Sequence, residues 1–188
     1  METPEEQVAY DDEGRMASRF VMQDGKLNGK SVTYYPSGAV AQQAHFKDGL
    51  LDGKVTDYDA SGQVVQIAHF KDGVLDGKLT TFDEAGLPAQ QMVYRDGLLH
   101  GEGVIYDLGL LRAEVSYVEG MKEGEAVTYD PRGGVNEKAH YKAGVLDGQV
   151  LRYHPGGKLK EKALYKAGEL QGEPVEYDKK GRPIKKKK

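Results

Sequence analysis

"HFKDGLLDGK", residues 45–54, returns as "HFKDGVLDGK", residues 69–78, with one change, Leu50 to Val74. Ten residues copied at an interval of 24 point to a repeat, and a fixed period decides the architecture before any single element is read. The glycine of each DG-type turn falls at Gly25, Gly49, Gly73, Gly97, Gly120, Gly144 and Gly168. A second glycine follows four residues later, and an aromatic stands five residues after that: Tyr34, Tyr58, Phe82, Tyr106, Tyr129, Tyr153 and Tyr177. Tyr10 occupies the same position of an incomplete leading copy.

Each unit carries two punctuation marks, a DGxLxG-like turn and a four-residue turn such as "DASG", "DEAG" or "HPGG" after the aromatic. Glycine at the end of the second turn suits a type I turn closed by a residue at positive φ, the hairpin loop that ends in a bulge. Two turns in 24 residues leave room for two short strands, whereas helices interrupted about every twelve residues would be too short to be useful. The expectation is all-β: an elongated antiparallel meander of about seven 24-residue hairpin repeats in one long twisted sheet. That makes about 15 strands, on the order of 70 Å at about 4.8 Å per strand. Repeats of this kind lean on their neighbours for stability.

Period-two alternation with Tyr58 opposite Val64 puts Thr56, Tyr58, Val64, Ala68 and Phe70 on one apolar face, and Val32, Tyr34, Val40, Ala44 and Phe46 in another copy. The opposite face then reads Thr33, Asp57, Thr81, Thr128, Arg152 and Glu176, polar apart from Ile105. The turn leucines, among them Leu27, Leu51, Leu75 and Leu146, are expected to cap the apolar face. One copy is a residue short, its turn reduced to "DLG" and its turn leucine replaced by Lys122. Either a bend near residues 107–122 or a deletion absorbed by the turn is consistent with this. The boundaries expected are a flexible segment 1–9, a repeat domain 10–181 and a basic tail 182–188.

Composition narrows the function. The 188 residues include 25 glycines, 12 tyrosines against 4 phenylalanines, and no tryptophan, so the preferred aromatic is the one with a polar tip, suited to a half-wet surface. A net charge of −4 from 26 basic and 30 acidic residues speaks against a nucleic-acid binder. No cysteine is present, which excludes disulfides and thiolate metal sites. No apolar run approaches the roughly 20 residues of a spanning helix, and "METPEEQ" is no signal peptide. The chain reads as soluble, cytoplasmic as it stands and periplasmic if a leader has been removed.

No catalytic, cofactor-binding or metal site emerges. His45, His69 and His140 share a repeat position, but equivalents in adjacent repeats lie two strands, roughly 10 Å, apart, too far for one ion. Asp48, Asp52, Asp72, Asp76, Asp96 and Asp147 each accompany a glycine that a turn needs, and none builds the dense oxygen set of a calcium loop. No phosphate-binding glycine loop and no nucleophile beside a base stands out. The expectation is a protein without enzymatic activity.

The unit "DGxLxGxxxxYxxxGxxxxxxxFK", clearest in residues 48–71 and 72–95, resembles the bacterial variant of the MORN repeat found in the YwqK-type antitoxin family. The resemblance implies an antitoxin or immunity protein that binds and neutralises a secreted toxin, including effectors of type VI secretion. Related eukaryotic repeats imply an alternative, a scaffold associated with a lipid or membrane surface. The face opposite the tyrosines is the expected partner surface, because its residues change between copies: Val65, Ile67 and His69 in one, Arg112 and Glu114 in a later one, Lys138 and His140 in another. Tyr35 is a further candidate anchor, placed on that face or in the turn. The partner expected is a cognate protein toxin, with membrane contact less favoured; the oligomeric state stays open.

Overall fold

The computed structural model describes residues 3–184, and every helix-or-strand element among them is a β-strand. The chain forms two compact units, Met1–Leu98 and Leu99–Lys188. In the first, Glu5–Tyr10, Met16–Gln23, Lys26–Tyr34, Val40–Lys47, Gly53–Tyr58, Val64–Lys71, Gly77–Phe82 and Pro88–Arg95 follow one another, each antiparallel to its predecessor. In the second, Gly101–Asp107, Leu110–Val118, Gly124–Tyr129, Val135–Lys142, Val145–Tyr153, Leu159–Lys166 and Val175–Glu176 do the same. The antiparallel meander expected from the repeat is the fold. Among the described residues the 20 strand segments include five two-residue pieces, such as Leu50–Leu51, that lie just ahead of the next strand; joining each to its successor leaves the expected fifteen.

Both turn types form where the residues call for them. Asp48 (φ 51°) and Gly49 (φ 86°) make a two-residue turn between the paired Lys47 and Leu50, the geometry with two positive φ angles that matches strand twist. At the other end, the amide of Asp59 donates to the carbonyl of Gln63 (2.9 Å) and that of Gly62 to Asp59 (3.0 Å), with Gly62 at φ 88°. In the short copy the second turn contracts to Leu108–Gly109 between the paired Asp107 and Leu110. Gly101 still faces Tyr117 and Gly103 faces Val115, as their equivalents do elsewhere. The turn therefore absorbs the deletion, and the ladder beyond it keeps its register. The division between units falls earlier, at Leu98/Leu99.

Repeats are stitched by side chains as well as by the ladder. The amide of Gly73 donates to the carbonyl of Leu51 (2.8 Å), and that of Gly168 to Leu146 (2.8 Å). The carboxylates of Asp76, Glu123 and Asp147 accept from the amides of Asp96 (3.1 Å), Ala143 (2.8 Å) and Ala167 (3.1 Å), each 20 residues on. A turn aspartate thus serves the following copy's turn, which accounts for its recurrence without any metal.

Two boundaries differ from expectation. Residues 1–9 were expected to be flexible, but Glu5–Tyr10 is a strand paired with Met16–Gln23, because Tyr10 completes a hairpin of the same kind. Toward the end, Tyr177 bridges Pro183 and the amide of Ile184 donates to Glu176 (2.8 Å), so order runs past residue 181. Of the basic tail expected at residues 182–188, residues 185–188 lie outside the described residues.

Candidate functional site

Which side chains share a face is set by a bulge. In seven hairpins among the described residues the register slips beside the second turn: Asp57 faces Gln66 while Tyr58 faces Val64, leaving Val65 extra. The same slip makes Arg112 and Asn136 the extra residues between Ala113 and Leu111, and between Glu137 and Val135. One added residue reverses the alternation, so Tyr58 and Val64 do not share the face of Ala68 and Phe70 as expected; they lie opposite it. Each unit consequently has an aromatic row on both faces.

One face, here the alanine face, carries Ala44, Val55, Ala68 and Met92 in the first unit and Val115, Ala139, Val150 and Ala163 in the second, all buried. Beside this row run Phe46, Phe70, Tyr141 and Tyr165, paired with Leu51, Leu75, Leu146 and Leu170. The turn leucines therefore cap an aromatic row as expected. Lys122, their replacement in the short copy, sits with its Nζ 5.0 Å from the centroid of the Tyr141 ring, a cation–π contact standing in for the apolar one. Near the bulges the alanine face turns polar. Asp57 accepts from Gln42 (2.7 Å) and Gln66 (3.2 Å), and Arg152 bonds Glu137 and Glu161, both at 2.7 Å.

The other face, the tyrosine face, carries Tyr34, Tyr58 and Phe82 in the first unit and Tyr106, Tyr129 and Tyr153 in the second. Ile67, His69, Glu114, Lys138 and His140 were expected opposite the tyrosines, yet all five belong to this face. Glu114 accepts a 2.5 Å bond from the Tyr129 hydroxyl, which holds that phenol's pKa above its ordinary value. Lys138 pairs with Glu125 at 3.0 Å, a contact that raises its pKa too. With Glu102 and Ser116 these carboxylates line a shallow recess of about 220 Å³. His69 donates through Nδ1 to the carbonyl of Lys78 at 2.8 Å.

Two sequence candidates prove to be braces. Tyr35 starts the turn where other copies have aspartate, and its hydroxyl donates to the carbonyl of Tyr58 (2.7 Å), 23 residues on. His154 does the same toward Tyr177 through Nε2 (3.0 Å). Arg112 holds Asp107 through Nε and Nη2 (3.2 and 3.1 Å) and the carbonyl of Asp130 through Nη1 (2.9 Å). Val65 remains an exposed bulge residue.

Sequence reasoning passed over a row of cations on the tyrosine face of the first unit. Lys30 stands opposite His45 and Lys54 opposite His69, with Lys78 on the next strand. The three lysines and His45 are exposed, and none of these lysines makes an ion pair among the described residues. The signal was present, since histidine and lysine recur at fixed positions of the quoted repeat, but ignoring the bulge assigned the histidines to the face away from the tyrosines.

The family model described as the MORN repeat variant matches residues 27–48, 51–72, 122–143 and 146–167. Among curated proteins no match was found. Two solved structures, "Crystal Structure of TcdB2-TccC3-Cdc42" and "Crystal Structure of TcdB2-TccC3", align at 14% and 12% sequence identity. Each has a TM-score of 0.22 and covers 93% of this chain but 13% of the other, so this chain spans a small part of those proteins. A likeness at that level carries no argument; what the comparisons show is that the four matched segments are similar to the MORN repeat variant.

Proposed function

We propose that this protein is a non-enzymatic antitoxin or immunity protein, which binds a secreted bacterial toxin or type VI effector on an open sheet face and blocks it. The observation that carries the reading is the separation of scaffold from surface on the tyrosine face. Aromatics and glycines recur in every copy, while the positions between them change from Lys30, Lys54 and Lys78 in the first unit to Glu102 and Glu125 in the second. A scaffold held by repeated backbone bonds presents such a surface already formed, so little ordering entropy is lost on docking. The family resemblance supplies the class of partner.

Co-expression with the products of neighbouring secreted-toxin genes tests this. Restored growth together with a one-to-one complex in size-exclusion chromatography with light scattering is expected. Toxicity unchanged by co-expression, with no complex formed, would remove the reading.

A further inference from the structure

From the tyrosine face of the first unit we infer a docking stripe for an acidic segment of a protein partner, formed by Lys30, His45, Lys54, His69 and Lys78. The inference deepens the antitoxin reading and rests on it for the partner being a protein. Its basis is a contrast in charge placement. In the second unit facing strands neutralise each other, Lys138 with Glu125 and Arg152 with Glu137 and Glu161. In the first unit lysine faces histidine twice on successive hairpins, so neither lysine has a carboxylate directly opposite it.

The carboxylates that could neutralise the stripe are engaged elsewhere. Asp52 and Asp76 accept from the amides of Asp72 (3.4 Å) and Asp96 (3.1 Å), and Asp57 lies on the opposite face between two glutamines. Glu6, on the tyrosine face, pairs with Arg19 at 3.1 Å. Five adjacent strands therefore present lysine and histidine side chains that make no ion pair among the described residues, and the row Tyr34, Tyr58 and Phe82 runs parallel on the same face. Carboxylates of a partner complete the lysines while its apolar side chains meet the rings.

Charge also chooses among anionic occupants. Residues 1–98 hold nine basic and sixteen acidic side chains, a net charge of −7 with histidines neutral. An extended anionic surface, such as a lipid bilayer or a nucleic acid, faces that whole charge and is repelled, whereas a narrow acidic segment meets the stripe inside a Debye length of about 10 Å.

The test uses the full chain and a fluorescent polyglutamate peptide, with binding read by anisotropy at low salt. Reversing the stripe in Lys30→Glu/Lys54→Glu/Lys78→Glu should weaken binding about tenfold or more, since three exposed contacts are lost together. The control Lys142→Glu/Lys160→Glu/Lys166→Glu makes the same charge change in the second unit and should alter affinity less than about twofold. Should the stripe triple fail to fold by circular dichroism, Lys54→Gln/Lys78→Gln should show a smaller loss in the same direction. No binding by the unaltered chain, or equal loss in both triples, overturns the proposal. So does sedimentation with phosphatidylserine vesicles that the stripe triple abolishes, which would assign the stripe to lipid. If co-expression protects cells from a toxin and the stripe triple protects equally, the antitoxin reading stands and the stripe fails; peptide binding through the stripe without protection from any toxin is the reverse.

Discussion

At the DG-type turns a side chain's identity meets a backbone it does not choose. The first turn residue lies at φ near 50° in every copy, and aspartate, which tolerates that region, fills it at Asp24, Asp48, Asp72 and Asp96. Glu119, Ala143 and Ala167 occupy the same conformation without that tolerance, at φ 50°, 47° and 49°. Ala143→Asn should therefore raise stability by about 0.5–1 kcal/mol, read as a later urea midpoint at unchanged slope. At Gly148 the constraint is stronger. Gly148 sits at φ 132°, and a Cβ there would lie 2.9 Å from the Cβ of His140. Gly148→Ala should cost about 1–3 kcal/mol in the same assay, and His140→Ala should not relieve it, since alanine keeps the offending atom.

Hairpins are marginal alone, so the bonds between copies decide whether an element persists. Asp147→Ala leaves the amide of Ala167 without its acceptor, at an expected cost of about 0.5–1.5 kcal/mol. Hydrogen exchange should accelerate first at the turn around Ala167 and Gly168, with the strands of the first unit unaffected. Tyr35→Phe should cost a similar amount through the lost bond to Tyr58, and its measurement in the free protein separates a brace from a partner anchor. The elements themselves were legible in the sequence. Turn glycines bound each strand, and Tyr58 opposite Val64 was readable from the turn length alone. The contraction at Leu108–Gly109 was open beforehand between a bend and an absorbed deletion, and only the retained pairing of Gly103 with Val115 decided that the ladder continues in phase.

Across the whole chain, three turn carboxylates tie stability to pH. Hydrogen bonds from the backbone of Arg15 to Asp11, from the Ser61 hydroxyl to Asp59 and from the backbone of Arg182 to Asp178 hold each carboxyl below the usual aspartate value. A pKa lowered by folding contributes stability above the unfolded value, about 3.9, which is lost as pH falls through the folded one. Urea midpoints should thus be flat near neutrality and fall below about pH 4, less steeply in Asp59→Asn. What the sequence by itself determined was the repeat, its strands and turns, and so an antiparallel all-β chain, because glycine placement and alternation are local properties. Tertiary pairing alone decided which residues are neighbours on a face. The extra residue at Val65, Arg112 and Asn136 reverses side-chain parity only when the partner strand fixes where it goes, and that reversal brings Ile67, His69, Glu114, Lys138 and His140 onto the face of the tyrosines.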